Sequence, residues 1–278
     1  MRVPLFAQAT GILLVAMPLL AQQQPQGSQQ SPQGSSQQPQ AQQSPQQQGP
    51  RPKSQQEMEA LQKVKAALQA HDPDAEIQAV KNVLENFTDT DYKPVLLNIA
   101  MQASAQKGDY AQTLVWGERI IQNNPSDVQA RVILAEDIAQ HTRENDLDKE
   151  QSLKKVDDYA NKVLDLLKTA NAPPTGFPQD KWTEYKNQLN SQAYDALGLA
   201  ADLRKKYPDA VSNFKNAVNN DPNPVSTAHL AKAYVDNKQY DEAITTADKV
   251  LAMNEVPPSV KQYAQQQKDA ATKMKTPK

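Results

Sequence analysis

A spacing of small and aromatic residues occurs twice near the C-terminal end of this chain and limits the folds that it can adopt. Intervals of three, four and three residues separate Tyr207, Ala210, Phe214 and Ala217, and they also separate Tyr240, Ala243, Ala247 and Val250. Where two helix axes approach most closely, a side chain larger than alanine holds the backbones apart, and a neighbouring large residue fills the remaining gap. The spacing therefore predicts helical hairpins that stack with small residues at their crossings.

Two consecutive units carry this pattern, at 191–224 and 224–257, and a looser unit spans 94–127. In the first of these, the pair Leu197-Gly198 precedes the repeated spacing and Pro222 follows it. In the looser unit, Thr113 and Gly117 stand where an alanine and an aromatic residue are expected. The pattern resembles the tetratricopeptide repeat (TPR), a unit of about 34 residues that forms two antiparallel helices. This resemblance implies an all-α fold, a TPR-like α-solenoid of antiparallel helix pairs.

The rest of the helical region departs from the regular period in two places. Apolar periodicity predicts a hairpin over 55–91, with Asp72-Pro73 starting its second helix, and a single helix over 128–140. Two long helices follow, one at about 149–170 and one that begins after an N-cap at Asp180. We expect them to form one irregular, elongated hairpin that protrudes. The final stretch has one weak apolar edge, which predicts a C-terminal capping helix.

Composition removes several classes of function. The 278 residues include no cysteine, which excludes disulfides, thiolate metal sites and cysteine nucleophiles. The formal net charge of −2 gives no bias towards nucleic acid or a membrane surface. Aromatic residues make up only 5%, which suits helix packing better than a β-sandwich.

The N-terminal part predicts export. Residues 1–21 contain Arg2 and a short apolar run that ends at Ala21, the layout of a secretory signal peptide. An uncleaved membrane anchor is the alternative, although the run is shorter than the roughly 20 residues that a spanning helix needs. Residues 22–54, rich in Gln, Pro and Ser, are expected to be a disordered tether before a helical domain at 55–278. We therefore expect a periplasmic or secreted protein with no stable membrane span after signal cleavage.

No catalytic set is recognisable, so we expect no enzyme, no cofactor and no metal. His71, His141 and His229 are far apart in sequence, and none has a partner at metal-ligand spacing, so we interpret them as surface or boundary residues. The adjacent carboxylates Glu136-Asp137 and Asp157-Asp158 point about 100° apart on a helix. Neither pair is therefore an acid/base couple.

Binding is the favoured function. In a TPR-like solenoid the first helix of each pair lines the concave face, and positions not used for packing are free for a ligand. The candidate groove consists of Val95, Asn98, Gln102, Gln192, Asp195, Leu199, Asp202, Val225, Ala228 and Lys232. Asp195 and Asp202 lie seven residues apart on one helix face, and we expect both to be exposed.

The resemblance implies a scaffold or adaptor for a protein or peptide partner in the cell envelope. Chaperone-binding members of the TPR family grip a carboxylate with a set of basic groove residues, and that set is missing here. Two alternatives remain open: a hydrolase of envelope polymers on a helical-repeat frame, and a structural homo-oligomer that uses the long hairpin near Val156 and Trp182.

Overall fold

A computed structural model of the protein describes residues 49–173 and 177–275. The described part folds into eleven α-helices and one 3₁₀ turn, with no β-strand. The helices are α1 Gln55–Ala70, α2 Pro73–Asn86, α3 Lys93–Gln106, α4 Tyr110–Asn123, α5 Val128–His141, α6 Lys149–Thr169, α7 Trp182–Leu203, α8 Tyr207–Asn220, α9 Pro224–Asp236, α10 Tyr240–Ala252 and α11 Pro258–Lys275. The predicted signal peptide and most of the predicted tether lie outside the described residues.

Each regular hairpin turns through one residue in the left-handed region. Gly108, Lys205 and Lys238 have φ of 68°, 61° and 60°, and each lies two residues before the tyrosine that begins the next helix. In the first hairpin, His71 has the same conformation at the end of α1, and its backbone N–H donates to Ala67 and Leu68. A left-handed residue at this position satisfies the last carbonyls of the preceding helix and reverses the chain. The geometry of the repeat therefore depends on the turn as well as on the residues at the helix crossing.

The crossings are as close as the small residues predict. A Cβ added to Gly198 would lie 2.6 Å from the ring of Phe214, and one added to Gly117 would lie 2.7 Å from Leu134. Ala210 and Ala217 are completely buried beside Phe214. Gly117, which departs from the sequence pattern, thus performs the same packing task as Gly198, because it admits a leucine from the neighbouring helix.

The irregular segment consists of α5, α6 and α7, which pack against one another. Helices α6 and α7 have 21 and 22 residues, whereas α4 and α5 have 14 each, so the elongation is confirmed. An aromatic cluster lies at the start of α7, where the Trp182 ring is 5.7 Å from Phe177 in the preceding loop and 6.2 Å from Tyr185. The predicted cap at Asp180 is wrong, because α7 begins after a 3₁₀ turn and no side chain caps it.

The helices share a core that runs along the stack. One cluster joins α1 to α4 and the start of α5, and a larger one joins α5 to α9. Helix α11 packs against α9 and α10 along one edge, formed by Val260, Tyr263, Ala264 and Ala271, and its other side is largely exposed. The expectation of a C-terminal capping helix is confirmed.

Order begins before the predicted end of the tether. The Tyr92 hydroxyl donates to the carbonyl of Pro50 at 2.9 Å, and Lys53 pairs with Asp89 and Asp91 beside the start of α3. Ser54 then caps α1 by accepting from the backbone N–H of Glu57 at 3.0 Å. The last residues of the predicted tether are therefore held against the domain. Among the described helices, none is both long and apolar enough to cross a membrane.

Candidate binding face and polar seam

The first helices α5, α7, α9 and α11 lie side by side, because α5 packs against α7, α7 against α9 and α9 against α11. We call the side of the stack formed by the odd-numbered helices the first-helix face. The ten groove residues predicted from the sequence lie on three odd-numbered helices, α3, α7 and α9. In the structure, some of these residues are accessible to a ligand and others form contacts between one repeat and the next.

On α3 the predicted groove residues are accessible. Val95, Asn98 and Gln102 are all partly exposed, one turn apart along the helix. The Asn98 amide donates to the Pro94 carbonyl at 3.0 Å, and within the described residues the Gln102 side chain makes no hydrogen bond. This helix therefore presents one apolar and two amide side chains to the outside.

On α7 and α9, four of the predicted groove residues are buried. Asp195, Leu199, Val225 and Ala228 expose 2%, 6%, 3% and 1% of their surfaces. The expectation that Asp195 is exposed is wrong. Helix α7 lies between α5 and α9, and α11 covers the side of α9 that carries Val225 and Ala228. These residues cannot touch a ligand without separating the helices.

Asp195 is buried because it holds a histidine on the next repeat. His229 Nδ1 lies 3.1 and 3.0 Å from the two carboxylate oxygens of Asp195, and the histidine is only 5% exposed. Its ring also lies 5.5 Å from Phe214 and 6.4 Å from Tyr263. The interpretation of His229 as a surface residue is thus wrong. His71 is exposed in a turn, and His141 is partly buried, stacked on Tyr110 at 4.1 Å.

A second polar contact lies beside this pair, between α5 and α7. Gln192 Nε2 donates to Glu136 Oε2 at 3.4 Å. Burial, followed by the negative charges of Asp195 and Asp137, raises the pKa of Glu136 to about 8. Burial also raises the pKa of Asp137 to about 6. We call Glu136, Gln192, Asp195 and His229 the polar seam, since together they run from α5 across α7 to α9.

The remaining two groove residues form an ion pair between repeats. Lys232 Nζ lies 2.8 Å from Asp202 on α7 and 2.5 Å from Asp236 on its own helix. Burial lowers the pKa of Lys232, but the two carboxylates outweigh burial and the net direction is upward. The Asp202 side chain is only 13% exposed, against the expectation of an exposed residue. The lysine that could hold an acidic ligand is therefore already paired.

The other carboxylates identified in the sequence also have separate partners. Asp157 lies 2.9 Å from Arg204, and Asp158 lies 2.9 Å from Lys154. Among the described residues, no three metal-ligating side chains come together. Two shallow clefts of about 310 and 330 Å³ lie elsewhere, one beside Arg204 and one between α1 and α2, and the polar seam lines neither.

The architecture matches solved repeat proteins. The crystal structure of a thermophilic TPR protein from Thermus thermophilus superposes with a TM-score of 0.51, at 14% identity, over 76% of this chain and 98% of that chain. This chain has the tetratricopeptide-repeat fold. A tetratricopeptide repeat protein from Parabacteroides merdae also matches, at 12% identity and a TM-score of 0.41, over 80% of this chain and 91% of that one. No protein-family model matches the sequence, and a comparison with curated proteins gives no match.

The length of the TPR repeat indicates one contact of the polar seam, whereas composition and motif spacing do not. Asp195 and His229 are 34 residues apart, one more than the 33 that separate Tyr207 from Tyr240 in the same two units. Residues about one repeat apart lie on corresponding helices of neighbouring hairpins, so a polar pair near that separation is a candidate contact between repeats. The spacing of His229 to the other two histidines predicts no metal site, and that spacing carries no information about Asp195.

Proposed function

We propose that the protein is an exported, non-catalytic adaptor that binds an extended segment of another protein along the first-helix face. The observation that supports this most directly is the exposed surface of α3, where Asn98 and Gln102 lie beside Val95. An amide side chain offers both a donor and an acceptor, as a peptide backbone does. An extended peptide could therefore pair its backbone with the two amides and place an apolar side chain on Val95.

The chemistry of this surface also indicates which kind of partner it would bind. Helix α3 presents no charged side chain among its predicted groove residues, and Lys232 on α9 is held between two carboxylates. A partner that depends on a free carboxylate would find no unpaired cation among the predicted groove residues. We infer that recognition uses backbone hydrogen bonds and apolar contacts, with the partner's net charge as a secondary factor.

The test is a double substitution on α3. Asn98→Ala with Gln102→Ala should abolish capture of the partner from an envelope extract, because it removes both amides while the apolar packing stays intact. Both side chains are partly exposed, so the free energy of unfolding should change by less than about 0.5 kcal/mol. Capture is measured by quantitative mass spectrometry, and binding is then repeated with the purified partner.

The matched control removes two amides from a neighbouring second helix. Gln122 and Asn123 are exposed on α4, and Gln122→Ala with Asn123→Ala should leave capture intact. Undiminished capture by the α3 variant would refute the binding surface. Equal loss in both variants would show that capture reflects general surface polarity instead of a defined site.

Export is a separate part of the proposal. It is supported by the Arg2-led apolar run that ends at Ala21. Mass spectrometry of protein isolated from cells should find a new N-terminus close to Gln22. An intact Met1 terminus in the membrane fraction would support the anchored alternative instead.

The two alternative functions receive less support. Val156 and Trp182 expose 0% and 6% of their surfaces inside the chain's own core, so a homo-oligomer would have to use other residues of the long hairpin. For a hydrolase, the carboxyls of the seam would have to meet substrate, yet Asp195 is engaged with His229 and buried. A screen of envelope polymers with the purified protein tests the enzymatic alternative directly, and turnover that Glu136→Gln abolishes would establish it.

A further inference from the structure

A buried carboxylate fixes the place where the N-terminal segment joins the helical domain. The Thr90 hydroxyl and the backbone N–H of Lys53 each donate to Glu57 at 2.6 Å, and Glu57 is only 1% exposed. The Tyr92 hydroxyl also donates to the carbonyl of Pro50. The chain that precedes Pro50 therefore starts from a defined point, beside the turn between α2 and α3.

The shallow cleft between α1 and α2 lies next to this point. Its α1 side begins at Gln56, three residues after Lys53. Its other side ends at Phe87, two residues before Asp89, which pairs with Lys53. The cleft volume of about 330 Å³ is at the lower end of the roughly 300–1,000 Å³ that ligand sites occupy. The polar and aromatic side chains that line this α1–α2 cleft are Gln56, Glu59, Lys63, Asn82, Asn86 and Phe87.

The lining of the α1–α2 cleft combines amides with an aromatic ring. The side chains of Gln56 and Asn82 are exposed and make no hydrogen bond to another described residue, whereas the Asn86 amide donates to the backbone carbonyl of Asn82 at 2.8 Å. Phe87 is partly exposed. The cleft therefore offers two amide groups and an apolar ring to a ligand.

We propose that the α1–α2 cleft binds the chain's own Gln/Pro segment, which we define as residues 22–48. The Gln/Pro segment belongs to the predicted tether and lies outside the described residues, and it ends two residues before Pro50. This inference goes beyond the proposed adaptor function and does not depend on it, because the cleft includes no residue of α3.

The composition of the Gln/Pro segment fits the lining of the cleft. The segment consists of Gln, Pro, Ser and Gly with one alanine, and it has no charged side chain. Glutamine amides both donate and accept, so they can pair with Gln56 and Asn82. Proline packs on aromatic side chains in the grooves that recognise Pro-rich peptides, and Phe87 supplies such a ring.

The charges of the cleft also favour an uncharged ligand. Glu59 and Lys63 are both exposed and lie one turn apart on α1, so the lining has one negative and one positive charge. A charged peptide would be attracted by one of these side chains and repelled by the other. The Gln/Pro segment avoids that opposition because none of its side chains is charged.

The covalent connection explains why the occupant is this chain's own segment and not a second copy. A coil of the length of residues 22–48 has its ends about 30 Å apart, so its residues remain close to the cleft. Such a connection gives an effective concentration of about 1 mM. A contact with a Kd of about 1 mM would be about half occupied within one chain, but only about 1% occupied between separate molecules at about 10 μM.

A nitroxide label on the Gln/Pro segment tests the contact by nuclear magnetic resonance. The chain has no cysteine, so Ser44→Cys provides a single thiol six residues before Pro50. The label should broaden the backbone amide signals of Asn86 and Phe87. Reduction of the nitroxide should restore both signals.

The decisive comparison is between two double variants that carry the same label. Gln56→Ala with Asn82→Ala removes the two amides of the cleft, and the broadening at Asn86 and Phe87 should fall severalfold, because the loss of two hydrogen bonds weakens binding by about tenfold. Gln62→Ala with Gln78→Ala is the matched control. It removes two exposed amides from α1 and α2 outside the cleft, and it should retain the broadening.

Two results would overturn the proposal. Equal broadening in the labelled parent and in both double variants would mean that the label passes Asn86 and Phe87 without binding. The second result comes from a mixture of isotope-labelled protein without nitroxide and nitroxide-labelled protein without isotope. Broadening in that mixture at about 10 μM would show that the segment of a second copy occupies the cleft.

Discussion

Asp195 on α7 holds His229 on α9 with both carboxylate oxygens, at 3.0 and 3.1 Å from Nδ1, and the two residues expose only 2% and 5% of their surfaces. The contact spans one repeat and fixes the register of two first helices. Because both partners are buried, each depends on the other for its hydrogen bond. Asp195, which was predicted to contact a ligand, therefore stabilises the contact between two repeats.

The first prediction concerns this pair. Asp195→Ala should lower the free energy of unfolding by about 1–3 kcal/mol, because it leaves a buried histidine nitrogen without its partner. His229→Ala should have a similar effect, and the double variant should lose less than the sum of the two. Urea unfolding of all four proteins measures the coupling.

The exposed ion pair of Lys154 and Asp158 is the control, and Asp158→Ala should cost less than about 1 kcal/mol. Additive losses would mean that the pair makes no energetic contact.

The second prediction concerns the helix crossing at Gly198. Gly198→Ala should destabilise the protein by about 1–3 kcal/mol, although alanine is the better helix former, because the new Cβ would overlap the Phe214 ring. Phe214→Ala should cost roughly 3–5 kcal/mol by leaving a cavity. Gly49 provides a matched control, since nothing lies within 4 Å of an added Cβ there. A Gly198→Ala variant as stable as the parent would refute the close crossing.

The third prediction concerns pH and the two adjacent acids. Since the folded state raises both pKa values, it binds more protons than the unfolded state, and each acid reduces stability as the pH rises. Relative to the parent, Glu136→Gln should gain stability from pH 4.5 up to about pH 8 and then level off. Asp137→Asn should level off already near pH 6. The gain should exceed about 1 kcal/mol for Glu136→Gln, since each unit of pKa shift corresponds to about 1.4 kcal/mol.

Urea unfolding at a series of pH values measures both acids, and the difference from the parent protein cancels the titration of all other groups. Two identical profiles, or a gain that grows as the pH falls, would contradict the assignment of the two raised pKa values.

The fourth prediction compares two aspartates that the sequence places before helices. Asp72 accepts from the backbone N–H groups of Asp74 and Ala75 at 3.0 and 3.1 Å, so Asp72→Ala should cost about 0.5–2 kcal/mol. Asp180 makes no capping hydrogen bond to α7, and Asp180→Ala should cost less than about 0.5 kcal/mol. Thermal unfolding distinguishes the two. Equal costs would mean that the start of α7 is wrongly placed.

The repeat and its close helix crossings could be predicted from residue size and spacing alone. Gly198, Ala210 and Ala217 could be identified as packing residues because steric contact between helices depends on side-chain size at a fixed period, and both are readable from the chain. The boundaries of α2, α5 and α6 followed from local capping and periodicity for the same reason. Val95, Asn98 and Gln102 are partly exposed on α3, and their role in binding stays a prediction.

Which polar residues are buried depends on how the helices pack, and the residue spacing does not reveal it. Helical periodicity gives the face on which Asp195 lies, but not the distance from α7 to its neighbours, and that distance depends on how α5 and α9 pack on either side. The raised pKa of Glu136 likewise depends first on burial and then on the charges of Asp195 and Asp137, which the packing of α5 against α7 brings together. Charge and burial are properties of the assembled interface, since the electrostatic energy of a carboxyl depends on every group around it and not on its place in the repeat.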